Sequence, residues 1–154
     1  MRKGCGKNNT SSEVWILRWI SYLQTEGIYL MAYSETLNLV AGDTLPELTI
    51  TLKDSNTAAS GLTLDPDDSS TWAPINVTGA TVRMRIRELG STVIASTLTC
   101  SISDGANGIV VTDFPSGTLS SAGTFEAEIE ITFSSGGVQT VFDLLKLKVR
   151  SDFD

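Results

Sequence analysis

"TVRMRIRE" at residues 81–88 and "TFEAEIEITF" at residues 124–133 alternate with a period of two. In the first, Val82, Met84 and Ile86 interleave with Arg83, Arg85 and Arg87; in the second, Phe125, Ala127, Ile129, Ile131 and Phe133 interleave with Glu126, Glu128 and Glu130. Successive side chains of a β-strand point to opposite faces, so each stretch reads as a strand with an apolar inner face and a charged outer one.

The same period extends outward from these two segments. "PELTITLKD" sets Leu48, Ile50 and Leu52 against Glu47, Thr49, Thr51 and Lys53. The turn "SSGG" at 134–137 predicts a hairpin into a last long strand, since glycine supplies the positive φ of tight connections. In that strand Val138, Thr140 and Phe142 read as the inward set at first, and Leu145, Leu147 and Val149 afterwards. The change of parity predicts a β-bulge of one extra residue near Asp143 and Leu144, with Lys146, Lys148 and Arg150 outward beyond it. Short strands bounded by Gly, Pro, Asp and Ser clusters predict an all-β fold, an immunoglobulin-like antiparallel β-sandwich of about seven or eight strands.

In such a sandwich the glutamate strand lies between the arginine strand and the last strand. Arg83, Arg85 and Arg87 then flank Glu126, Glu128 and Glu130 on one side, with Lys146 on the other. Pairing within the sheet is the expected use of these rows. Facing pairs contribute about 0.2–1 kcal/mol each, so the ladder's main value is register, because a slip of one residue would bury charge. Charges that cancel row by row are expected to leave the face little net field.

The chain has 154 residues, a hydrophobic share of 41%, 29 charged residues and a net charge of −7. An acidic body without clustered Lys and Arg argues against a nucleic-acid partner. The absence of histidine removes Ser-His and Cys-His nucleophile pairs and His-containing metal sites. Cys5 and Cys100 do not read as a disulfide framework, and Cys100 alternates with Ile94, Leu98 and Ile102 as a small buried hydrophobe. No cofactor is expected, and the chain reads as non-enzymatic.

Residues 1–33 read as an arm separate from the sandwich at 34–154. "VWILRWISYLQTEGIYL" places Trp15, Trp19, Tyr22 and Leu23 at helical spacing, and it is too short and interrupted to span a bilayer, so no membrane partner is expected. A docking helix, a disordered arm and a true start at Met31 are the three readings of this segment. Residues 54–78 break the strand rhythm and read as a long loop, with Asp65, Asp67, Asp68 and Trp72 as candidate partner-binding residues. The three aspartates lack the spacing, turn glycine and distal Glu of a calcium loop.

The order "LVAGDTLPELTITLKD", "INVTGATVRMRIRE", "SDGANGIVVTDF", "LSSAGTFEAEIEITFSSGG" resembles the N-terminal domain of the baseplate upper protein family of tailed phages, over about residues 37–150. The shared motifs are Gly42-Asp43, Thr78-Gly79-Ala80, Asn107-Gly108, Ala122-Gly123 and the final hairpin. The resemblance implies a virion structural protein, a module of the tail, baseplate or neck. It would dock on other virion proteins within a symmetric homo-oligomeric assembly. A capsid decoration protein and a bacterial surface adhesion module are the alternative readings.

Overall fold

The computed structural model describes residues 17–22, 36–44, 47–141 and 144–153. Among the described residues ten strands follow in order: β1 (Leu17–Tyr22), β2 (Thr36–Val40), β3 (Leu48–Ala58), β4 (Trp72–Pro74), β5 (Thr81–Glu88), β6 (Ile94–Asp104), β7 (Ile109–Thr112), β8 (Gly123–Thr132), β9 (Val138–Thr140) and β10 (Leu145–Arg150). The fold is an all-β sandwich. Strands β4 and β9 have three residues each and β1 comes from the N-terminal segment, which brings the number above the seven or eight expected.

One continuous ladder curls into two layers in the order β1-β3-β7-β6-β5-β8-β10-β2, with β4 added to β3 and β9 to β8. The fold turns on β6. Its first part pairs with β5 as far as Val82↔Cys100, and its last part pairs with β7 from Ser101↔Val111. A strand that changes sheets in this way makes a corner of the sandwich. All pairs are antiparallel except β2 with β10, which run parallel from Thr36↔Lys146 to Val40↔Arg150.

Alternation decides the core. Leu48, Ile50, Leu52, Val82, Met84, Ile86, Ala127, Ile129, Ile131 and Leu147 are 0% exposed, so both layers turn their apolar faces to each other. Ile94 departs from this pattern, at 50% exposed. The β5–β6 register shifts between Ile86↔Ser96 and Arg87↔Ile94, and that irregularity moves Ile94 to the outer face beside Arg87.

The last strand corrects the expected change of parity. Val141 N donates to Ile129 O, and Leu145 pairs with Ala127, so four steps along one strand match two along the other. Two extra residues, rather than one, preserve the alternation. Val138 is accordingly 61% exposed and Val141 buried, with Leu145, Leu147 and Val149 continuing the same inward set. Phe142 and Asp143 lie outside the described residues.

Two further expectations change. Residues 17–22 form a strand on the edge of β3, from Leu17↔Asp54 to Tyr22↔Thr49, where a docking helix through Trp19 and Tyr22 is one of the three readings of the sequence. The open edge of an 11-residue strand offers a row of backbone partners, and that tertiary ladder outweighs local spacing. Trp15, Leu23, Cys5 and the start at Met31 lie outside the described residues. The expected loop at 54–78 is also shorter, because β3 runs on to Ala58 and β4 starts at Trp72. A bulge between Asp54 and Ala58 is held by the Asp54 carboxylate, which accepts from Asn56 N at 2.9 Å and Thr57 Oγ1 at 2.7 Å.

The β6–β7 hairpin depends on a close approach of backbones. Gly108, at φ +68°, lies where an added Cβ would meet Leu52 O at 2.5 Å and Ile75 O at 2.7 Å. Its own carbonyl accepts from Leu52 N at 2.8 Å. Gly108→Ala is therefore expected to lower stability by about 2 kcal/mol or more, through both strain and collision. Gly117→Ala, at φ +90° with open space around it, carries the strain alone and should cost about 1 kcal/mol. Urea denaturation midpoints of the two variants check the order.

Candidate functional site

The outer face of the second sheet is the candidate interaction surface. The arginine and glutamate rows lie on neighbouring strands, with Arg83↔Glu130, Arg85↔Glu128 and Arg87↔Glu126 in antiparallel register. Lys146 lies across from Glu126 on the other side of β8. Cross-strand partners share a face, so this alternation places all seven side chains together on the outside.

Their ion pairs follow the register only in part. Arg85 reaches diagonally to Glu130 through a two-pronged contact, Nη1 to Oε2 and Nη2 to Oε1, each at 2.8 Å. Its approach to Glu128 is longer, at 3.5 Å. The Glu130 side chain is 14% exposed and that of Glu128 38%, so the fork forms with the better shielded carboxylate. Arg87 pairs directly with Glu126, Nη2 to Oε2 at 2.9 Å and Nε to Oε2 at 3.0 Å. Among the described residues Arg83 and Lys146 form no ion pair. Arg85, Arg87, Glu126 and Glu128 also floor a shallow groove whose walls include Ile94, Thr92 and Leu144.

The net field of this face is larger than expected. Residues 31–154 contain seven Lys and Arg residues, and six of them, Arg83, Arg85, Arg87, Lys146, Lys148 and Arg150, stand on this one surface. Three glutamates answer them. The face carries +3 within a chain of −7, so the remainder carries −10. Row-by-row cancellation fails because Lys148 pairs in register with Thr124 and Asn38, and Arg150 with Val40. Arg150 stacks instead over the Phe153 ring, 4.9 Å from its centroid.

The seventh cation has an internal task. Lys53 donates to Ser69 O at 3.0 Å and so ties β3 to the connection ahead of β4. Trp72 closes the same connection: it is 3% exposed, and its Nε1 donates to Asp65 O at 2.8 Å. The expectation that Trp72 anchors a partner is corrected, because its indole is already buried within the chain and bonded to the Asp65 carbonyl. Asp65 and Asp68 shape the segment, accepting from Asp67 N and Ser70 N at 2.9 Å each. Hydrogen bonds from the Ser70 side chain and backbone hold the Asp68 carboxyl below its ordinary range. Asp65, Asp67 and Asp68 remain exposed on an ordered knob.

The remaining displaced groups belong to the scaffold. Asp104 is lowered by hydrogen bonds from the Asn107 side chain and backbone in the β6–β7 turn. Burial pushes the Cys100 thiol up to about 11 from 9.0, which keeps it protonated and poorly nucleophilic at neutral pH. No group of three or more His, Cys, Asp or Glu side chains suited to a metal ion occurs among the described residues. No described helix is long and apolar enough to cross a membrane.

No family model matches the chain, and no curated protein matches it. Solved structures with a similar arrangement of strands include CopC from Methylosinus trichosporium OB3b, at 7% identity and a TM-score of 0.43 over 79% of this chain and 89% of that one. The PmoD soluble domain from Methylocystis sp. ATCC 49242 (Rockwell) is similar at 9% identity and a TM-score of 0.41, over 89% of this chain and 93% of that one. A likeness of this size concerns strand arrangement and carries no function across.

The expected resemblance to phage baseplate upper proteins is corrected, since the similar solved structures are CopC and the PmoD soluble domain, and the virion role, the virion location and the capsid and adhesion alternatives are withdrawn. The motifs behind that resemblance are turns. Gly42, Gly79 and Gly108 all sit at positive φ, a requirement of tight turns between strands that unrelated sandwiches share.

Two outcomes are expected from these contacts. Trp72→Ala should destabilise the domain by about 3–5 kcal/mol, as truncation of a buried aromatic does, and Trp72→Phe by less, chiefly through loss of the Nε1 hydrogen bond, since the Asp65 carbonyl also accepts from Asp68 N and Thr71 Oγ1; thermal melts of both variants check this. In double-mutant cycles to alanine, Arg85 should couple to Glu130 by about 1 kcal/mol and to Glu128 by less, with both couplings falling as salt is added.

Proposed function

We propose that this chain is a non-enzymatic protein-interaction module whose binding surface is the outer face of the second sheet. The observation that carries the reading is the segregation of charge, with six cations of the 31–154 segment on one rigid face of a molecule that is otherwise strongly acidic. The placement of the displaced titratable groups supports it. Two of them hold turns and the third is a core thiol, whereas a catalytic centre gathers such groups in a cleft.

A face of this kind acts through complementarity. Charges on strands of fixed register present a pattern in two dimensions, which raises encounter rates with an oppositely charged surface and rejects like-charged ones. The apolar Ile94 and Leu144 at the groove walls add area that can be desolvated once a partner has seated. A nucleic acid suits the surface less well, since Glu126, Glu128 and Glu130 run through its middle, where phosphates would lie.

Site-specific photocrosslinking in the cells that make the protein tests the proposal. Crosslinkers at Thr99, beside Arg83, and at Asn38, beside Lys148, should capture protein; one at Ser103, on the first sheet, should capture far less. Equal capture from all three positions, or none from the first two, would overturn it.

A further inference from the structure

The charges of the outer face have a counterpart on the same chain. Arg83, Lys148 and Arg150 meet no carboxylate at ion-pair distance among the described residues, and all three are exposed, with Arg83 opposite Glu130 towards one end of β8 and Lys148 opposite Thr124 towards the other. Asp65, Asp67 and Asp68 project from the connection between β3 and β4, which belongs to the first sheet. That connection is a shaped knob: Ala59 N donates to Thr71 O at 2.8 Å, Trp72 Nε1 to Asp65 O at 2.8 Å, Lys53 Nζ to Ser69 O at 3.0 Å, and Thr71 Oγ1 to Asp68 O at 2.7 Å. Little conformational entropy is then lost when it seats against another surface.

We infer that the cationic face of the second sheet binds the acidic β3–β4 knob of a second copy of this chain, in a head-to-tail contact. The inference rests on the protein-interaction reading and names its partner. Charge complementarity selects the occupant: the face carries +3 and the knob three carboxylates within four residues. The face spans five strands, β6, β5, β8, β10 and β2, and so about 20 Å at a strand spacing of ~4.8 Å, wide enough to receive a hairpin tip. Face and knob are different patches of one molecule. The contact is therefore heterologous, and each copy keeps one face or one knob free for the next, so rings or filaments form rather than a closed twofold dimer.

The full-length chain in sedimentation velocity provides the test. At about 0.01 M salt, where charges are felt over about 30 Å, the wild type should sediment faster as concentration rises; at about 1 M, where the range is about 3 Å, it should be monomeric. Arg83→Glu with Lys148→Glu removes the face without touching an ion pair. Asp65→Asn, Asp67→Asn and Asp68→Asn together remove the knob's charge while keeping its hydrogen-bond acceptors, and circular dichroism melts verify that both variants fold. Each variant alone should be at least about tenfold weaker in self-association. An equimolar mixture of the two should recover a one-to-one pair and nothing larger, because only one intact face meets one intact knob.

A wild type that stays monomeric at low salt overturns the inference, as does a face or knob variant that associates as the wild type does. Binding of a fluorescent DNA duplex that is lost in the face variant, with no self-association, also overturns it and gives the face to nucleic acid. Crosslinks from Thr99 to a different protein, with a monomeric wild type, overturn the second copy as partner and leave the interaction module standing.

Discussion

The alternation of β8 constrains the whole second sheet. Ala127, Ile129 and Ile131 are completely buried while Glu126, Glu128 and Glu130, interleaved with them, hold the outer face. A slip of one residue against either neighbour would exchange these sets and drive three carboxylates into an apolar interior, at a cost of several kcal/mol for each unpaired charge. That penalty is far larger than the ion pairs themselves provide. The ladder of arginines and glutamates thus works mainly by forbidding the wrong registers, and β5, β9 and β10 take their positions from it. The same constraint explains why two extra residues separate the pairings of β9 and β10 on β8: only an even number keeps Leu145 on the side of Val141.

Rigid strands on this foundation turn local composition into a surface pattern. The cations of β5 and β10 are separated by 60 positions or so in sequence, and β8 brings them onto one face with glutamates between. Carboxylates elsewhere are spent on backbone geometry: Asp54 on a bulge, Asp65 and Asp68 on the β3–β4 connection, Asp104 on a hairpin. Charge on this molecule therefore has two roles. The aspartates shape turns while remaining exposed, and the arginines and lysines of the second sheet form a field.

The β3–β4 connection shows how a long polar segment can be ordered from within. Trp72 and Lys53 reach into it from β4 and β3 and bond to the carbonyls of Asp65 and Ser69. An aromatic residue two positions before a proline in such a segment has the composition of an exposed anchor. Its burial at 3% exposure makes it a brace instead, and whatever recognition the segment performs belongs to the carboxylates on its outside.

Period-two alternation made much of the fold legible in the sequence. The inward sets of β3, β5 and β8, the hairpin at 134–137 and the all-β class all follow from it, since burial on one face of a strand leaves a signature in adjacent residues. Which cations share a face follows in part, because parity assigns Arg83, Arg85 and Arg87 to the outside without saying what stands beside them. Four features were decided only by tertiary structure. Residues 17–22 became a strand because β3 offered an open edge; Trp72 turned inward to bond the Asp65 carbonyl; β6 changed sheets at Cys100; and Arg85 chose the diagonal Glu130 over the opposite Glu128. Each depends on a partner distant in the chain. Local alternation records which side of a strand is buried, but the free energy of an edge, a corner or a forked ion pair exists only once the other strand is in place.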